Sequence, residues 1–219
     1  MGEVAKFYSD GGVWMHPILA MSIIGLGIII ERFIFLYFKY NINASAFMAQ
    51  IQKLVMANNI DRAIKLCNAA PSAALPKVIK AGLTRANKGP DEIQNAVEEA
   101  SLEIVPAITK RVGVLNQVAN IATLLGLLGT IIGLIQAFDA LADPSIPPDK
   151  RQAMLANGIA VAMNTTAFGL IVAIPCLGAQ ILLGSVAKKI IDEIDQHSVK
   201  LENLLISRLH GTAAGGENR

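Results

Sequence analysis

Residues 112–138 run for 27 positions without a charged side chain, and no other stretch limits the fold as strongly. A helix of that length reaches roughly 40 Å, more than the ~30 Å hydrocarbon core of a bilayer. A membrane-spanning helix is therefore the first expectation. Within it Gly126, Gly129 and Gly133 recur at i, i+3 and i+7, which leaves one face almost bare. Lipid tails compete for Leu as well as protein does, so membrane helices meet through close backbone packing at such stripes. The glycines predict a helix-packing face. Asn116, Asn120, Thr123 and Thr130 draw a second, polar line at helical spacing. Facing lipid it would be unfavourable, so it is expected to face protein or water. It either hydrogen-bonds neighbouring helices or lines a path.

Two further spans follow from the same reasoning. Residues 17–38 are apolar except for Glu31 and Arg32, which stand about two turns from the end of the run. There a charged pair can snorkel or salt-bridge at the interface. Residues 152–187 form a run of 36 without formal charge. As a helix this is about 54 Å, too long for one span, so one end must project beyond the bilayer. Residues 188–210 explain the projection: Ile191, Ile194, Leu201 and Leu205 repeat at helical spacing, interrupted by Ser198, as in an amphipathic helix packed on other protein.

The rest divides between interface, loop and soluble helix. Residues 1–16 carry Phe7, Tyr8 and Trp14, rings suited to a headgroup layer. Glu3 and Asp10 stand against one lysine and no small-residue cleavage pattern follows, so the first span is expected to stay in the mature protein. Residues 39–111 read as a cytoplasmic domain that is wholly helical. Ser45 is the expected cap of a helix reaching Asn58, a short helix follows over 61–68, and Pro71 and Pro76 punctuate before another at 77–87. Gly89, Pro90 and Asp91 then start a long helix that runs into the second span at 112–141. Pro106 is expected to kink or loosen it. Residues 142–151, with Pro144, Pro147 and Pro148, form a polar turn, and the Gly/Ala-rich 211–219 is expected to be disordered. Fifteen of the 19 Lys and Arg fall in 39–111 and 188–219. The positive-inside rule makes those segments cytoplasmic and the N-terminus external.

Composition narrows function as much as fold. Hydrophobic residues make up 53% and charged residues 16% of the chain, too little charge for an ordinary soluble domain. The net charge of +2 does not describe a nucleic-acid surface. Cys67 and Cys176 share no metal or redox spacing, and His16, His197 and His210 are scattered. No enzyme, metal site or cofactor is expected. A passive membrane scaffold needs only the glycine stripe. A secondary transporter would call for an internal repeat or interrupted helix pair, which these spans lack.

At the level of motifs the chain resembles the ExbB/TolQ proteins, with the MotA flagellar stators as more distant relatives. The first span ends Ile30-Glu31-Arg32-Phe33. The second reads Leu124-Leu125-Gly126-Leu127-Leu128-Gly129-Thr130-Ile131-Ile132-Gly133 and closes with Ala137-Phe138. The third carries Gly158-Ile159-Ala160, then Thr166-Ala167-Phe168-Gly169-Leu170-Ile171-Val172-Ala173-Ile174-Pro175. The resemblance implies an all-α inner-membrane protein, three spans with long cytoplasmic extensions, assembled as a homopentameric ring. It implies two copies of an ExbD/TolR-like partner inside the ring, whose single helix carries an ion-accepting aspartate. Ring threonines then line the route, here Thr130 and Thr166, with Thr165, Asn164 and Thr123 as further candidates. Gly169 and Pro175 join the three second-span glycines as packing residues, and Glu31 with Arg32 anchors the first span or transmits force. A hydroxyl can donate, accept or coordinate a cation without a fixed membrane charge. With no carboxylate in 112–138 or 152–187, the charged carrier must come from a second protein. Two positions depart from the family pattern: Val161 where a glutamate is frequent, and Thr123 where proline is common. The expected ion is the proton, with sodium as alternative because Asn164, Thr165, Thr166 and Thr123 are rich in oxygen ligands.

Overall fold

The computed structural model describes residues 2–40 and 42–216, and every element among them is helical. In chain order these are α1 (Gly2–Asp10), α2 (Met15–Ile34), a π-helical turn (Phe35–Tyr40), α3 (Ala44–Met56), α4 (Ile60–Ala69), α5 (Ala74–Thr84), α6 (Pro90–Ala142) and α7 (Pro148–Gly216). Three stretches, Met15–Phe38 and those within α6 and α7, are long and apolar enough to cross a membrane. The all-α fold with three candidate spans is the architecture expected. The chain divides into two compact units, residues 1–31 with 112–182, and residues 32–111 with 183 onward. Helices α6 and α7 contribute to both.

The first unit is built on small residues. On α6, Ala122, Gly126, Gly129, Gly133 and Ala137 recur at spacings of three or four. On α7, Gly158, Ala162, Thr165 and Gly169 do the same. The two rows meet with backbones nearly touching. A Cβ on Gly133 would lie 2.8 Å from the Gly158 carbonyl oxygen, and one on Gly169 2.8 Å from that of Ala122. Helix α2 covers one side of this pair. Ile18 is fully buried with Ala122 and Val172, and Gly25 receives Cys176, whose sulfur would stand 2.7 Å from a Cβ there. Between α1 and α2 the chain turns at Gly12, where φ is +70° and glycine carries no side-chain penalty. Phe7 and Tyr8, read as headgroup-layer rings, pack edge-on against Phe168 of α7 at 6.3 and 6.2 Å. The Tyr8 hydroxyl also lies 3.2 Å from Nδ1 of His16.

The second unit has an ordinary apolar core. Met48, Ile51 and Val55 of α3, Leu75, Val78, Ile79 and Leu83 of α5, Ile93, Val97, Ile104 and Ile108 of α6, and Ile190, Ile194, Leu201 and Leu205 of α7 are all buried. Each large side chain fully removed from water contributes about 1.5–3 kcal/mol. Gly82 lets α5 approach closely, since a Cβ there would meet Val97 at 2.8 Å and Leu201 at 3.2 Å. Arg32 is 6% exposed, donates from Nη1 to the Ala107 carbonyl at 3.1 Å, and holds its guanidinium over the Phe35 ring.

Several sequence expectations shift here. The cap of α3 is Asn43, whose Oδ1 accepts from the Ala46 N–H, and not Ser45. Asn reaches the free N–H groups of a first turn as well as Ser does. Asn58, with φ of 60°, ends α3 in the left-handed conformation that Asn tolerates. Helix α5 starts at Ala74 and ends at Thr84, three residues earlier at each end than 77–87. Helix α6 passes through Pro106 without ending. Residues 211–216, expected to be disordered, continue α7, where Ala213 and Ala214 favour the helix that Gly211, Gly215 and Gly216 oppose. Residues 217–219 of that tail lie outside the described residues.

Cys67 supplies a prediction for the second unit. It is buried in α4, and burial pushes its thiol up to about 11, against a smaller opposing pull from Lys80. Only thiolate reacts with maleimides, so labelling at pH 7.5 should be slow in the folded protein. Denaturant should raise the rate at least tenfold; equal rates with and without it would contradict the burial.

Candidate functional site

The α6–α7 pair has two unlike flanks. One is occupied: α2 packs on Val118, Ala119, Leu125, Phe168, Val172 and Cys176 through Ile18, Met21, Ile28 and Ile29. The other carries hydroxyls. At ~100° per residue, Thr123 and Thr130 stand about 20° apart on α6 and some 140–160° from Leu125. On α7, Thr166 stands about 160° from Phe168. All three therefore occupy the flank away from α1 and α2. Thr166 Oγ1 donates across the pair to the Gly126 carbonyl at 3.4 Å, a long bond, and Gly126 lies about one turn from both Thr123 and Thr130. Thr123 Oγ1 donates to Ala119 O at 3.0 Å and Thr130 Oγ1 to Leu127 O at 2.6 Å. Each keeps its oxygen lone pairs available to a passing ion or water.

The remaining candidates fall elsewhere. Thr165 is fully buried in the contact between the helices. Its side chain fills the notch over Gly129, where a Cβ would meet Thr165 atoms at 2.6–2.8 Å. Its hydroxyl lies 3.0 Å from both the Val161 and Ala162 carbonyls of its own helix. Asn164, about 40° from Phe168, lies toward the α1–α2 flank. The structure thus gathers Thr123, Thr130 and Thr166, seats Thr165 in the seam and turns Asn164 the other way. Of the expected packing residues, Gly126, Gly129, Gly133 and Gly169 lie in the seam, but Pro175 is exposed on α7. At ~100° per residue it stands about 120° from Gly169, which carries it out of the seam. Gly158, Ala162 and Gly25 were not among the packing residues expected from the sequence. The first two were detectable, because they continue the four-three repeat of small residues through Thr165 and Gly169.

At the end of the pair beside the α6–α7 turn, a cavity of about 370 Å³ is lined by Gln136, Asp139, Asp143 and Asn157. The Asp143 carboxylate accepts from the Ser145 hydroxyl at 2.6 Å and its N–H at 2.8 Å, and these bonds hold its pKa below the usual range. No cluster of His, Cys, Asp or Glu able to hold a metal ion occurs among the described residues.

Three helices long and apolar enough to cross a membrane, two of them close-packed beside a flank of hydroxyls, are the features of a membrane protein. The chain belongs to the MotA/TolQ/ExbB proton channel family, whose sequence pattern matches residues 70–196. It is 27% identical over 195 residues to the biopolymer transport protein ExbB homolog of Methanothermobacter thermautotrophicus, covering 89% of this chain and 67% of that one. The ExbB-like 3 protein of Synechocystis is 28% identical, with 76% and 78% covered. The biopolymer transport protein ExbB of Aquifex aeolicus is 34% identical over 102 residues, 46% of this chain and 66% of that one. Among solved structures, that of Campylobacter jejuni MotAB matches with a TM-score of 0.46 at 13% identity, covering 85% of this chain and 80% of that one.

Proposed function

We propose that this chain is the ring-forming subunit of an ion-driven motor in the cytoplasmic membrane. Five copies surround two copies of an ExbD/TolR-like partner, and the hydroxyl flank of each α6–α7 pair faces the ring's centre. The observation that carries this reading is the gathering of Thr123, Thr130 and Thr166 on the flank that α2 leaves open. Apolar spans gain nothing from hydroxyls aimed at lipid, and a scaffold would need only the glycine seam. The second and third spans hold no carboxylate, so the partner's membrane aspartate supplies the charge. Asp139 and Asp143 at the outer end raise the local cation concentration where ions enter. The N-terminus lies outside and the second unit inside, as the lysine and arginine distribution requires.

The ion is the proton. Sodium must exchange its water shell for several oxygen ligands, whereas protons pass along single hydroxyls and waters. Asn164 and Thr165, which would raise the ligand count, do not stand with Thr166. The test is flux through the reconstituted ring and partner at constant membrane potential with sodium replaced by potassium. Undiminished flux is expected. Arrest that sodium alone relieves would overturn the proton assignment.

A further inference from the structure

In the second unit the buried seam of α7 is apolar at Ile190, Ile194, Leu201 and Leu205 but is broken midway by His197 and Ser198. They are 8% and 5% exposed, and among the described residues neither His197 Nδ1 nor Ser198 Oγ has a hydrogen-bond partner. A buried polar atom without a partner weakens the packing that buries it, and a charged one does so more. Such a step weakens the seam without adding contacts. We propose that His197 makes the cytoplasmic unit acid-sensitive: neutral, it is tolerated in the seam, and protonated, it loosens α7 from the helices packed on it. In a motor that admits protons, this would lower output when the cytoplasm acidifies, a consequence that rests on the function proposed above.

The surroundings give the charged form little relief. The residues that α3, α5 and α6 bury in this unit are apolar, while every charged residue on those helices within it, Lys53, Lys77, Lys80 and Glu98 among them, is exposed. Glu98 acts instead on Glu202, whose carboxyl is raised by burial first and by that like charge second. On its own helix His197 feels Lys200, which opposes protonation, and Glu193, which favours it more weakly. With burial as the largest cause, the imidazole titrates below its ordinary 6.5. The unfolded or detached segment therefore binds a proton that the packed one refuses. Stability is complete above about pH 6.5 and falls as pH drops below it, by up to tenfold in the opening equilibrium per pH unit.

The proposal is tested by hydrogen exchange on the full-length protein, assembled in lipid nanodiscs, at pH 7.5 and 5.5, with rates corrected for intrinsic exchange. Amides of residues 187–205 in the wild type should lose about tenfold in protection at the lower pH. His197→Gln, which keeps the shape and cannot titrate, and His197→Leu should show no such loss. A wild type equally protected at both values, or a His197→Gln variant with the same acid loss, would overturn it. The readout needs no ion flux, so it stands or falls separately from the motor assignment.

Discussion

Gly133→Ala is expected to dismantle the pairing of α6 with α7, although a single methyl group is added. In a helix free of contacts this change would stabilise by roughly 0.5–1 kcal/mol, because alanine orders at lower entropic cost. Here the new Cβ would stand 2.8 Å from the Gly158 carbonyl oxygen and 2.9 Å from the Ala162 nitrogen. Both are backbone atoms, which cannot rotate away, so the helices must separate. Overpacking of this kind costs about 1–3 kcal/mol, and separation also forfeits contacts along the seam. Gly169→Ala should behave alike, since it would meet the Ala122 carbonyl oxygen at 2.8 Å. Gly129→Leu adds a clash with Thr165, whose β-branched side chain is held by the seam around it. Gly178→Ala is the control, for nothing stands within 4 Å of that position. Thermal unfolding in detergent should show Tm lowered by several degrees for the first two and unchanged or raised for the control. Native stability in Gly133→Ala and Gly169→Ala would refute the packing described. Destabilised assembly in Gly178→Ala would place that face against another copy.

The glycine seam shows what was legible in the sequence and what was not. Gly126, Gly129 and Gly133 announced a contact because three glycines at helical spacing are hard to explain otherwise in a membrane helix. Their mates Ala162 and Thr165 were harder to read as packing residues, because alanine and threonine look ordinary among apolar residues unless their four-three spacing with Gly158 and Gly169 is followed. What covers the stripe was not legible either. Association with other subunits was one possibility, and the structure fills the stripe with α7 of the same chain. Chain order and apolar runs marked the spans, but not α1, whose rings bear on Phe168 because Gly12 turns the chain back. That is a tertiary contact with no local signature. The oxygens near Thr166 were misgrouped for a similar reason. Asn164, Thr165 and Thr166 are neighbours in sequence, yet successive residues on a helix point about 100° apart. The packing of α2 decides which of them faces outward. His197 needed the structure most, since an isolated histidine on an amphipathic helix is as easily exposed as buried.

Thr166→Val should abolish ion-driven work while Thr165→Val should spare most of it, although the two stand side by side. Valine matches threonine in shape and removes the hydroxyl, so differences report on oxygen more than on packing. Thr166 reaches across to Gly126 O on the flank shared with Thr123 and Thr130, where an ion or proton passing the pair would find it. Loss of one such group on a dehydrated path costs about 1–3 kcal/mol, and each ~1.4 kcal/mol is tenfold in rate. A reduction of ten- to hundredfold in flux is therefore expected for Thr166→Val, and a similar one for Thr130→Val. Thr165 spends its hydroxyl on carbonyls of its own helix, inside the seam. Those carbonyls are already bonded in the helix, so a valine methyl in the same notch loses little. Measuring proton flux in proteoliposomes with matched amounts of assembled complex separates the outcomes. Equal loss in Thr165→Val and Thr166→Val would show that the route runs through the seam, contrary to the flank assignment. Full flux in both Thr130→Val and Thr166→Val would remove the hydroxyls from the ion path altogether. An intact oligomer in every variant, checked by native mass measurement, ties the loss to chemistry and not to assembly.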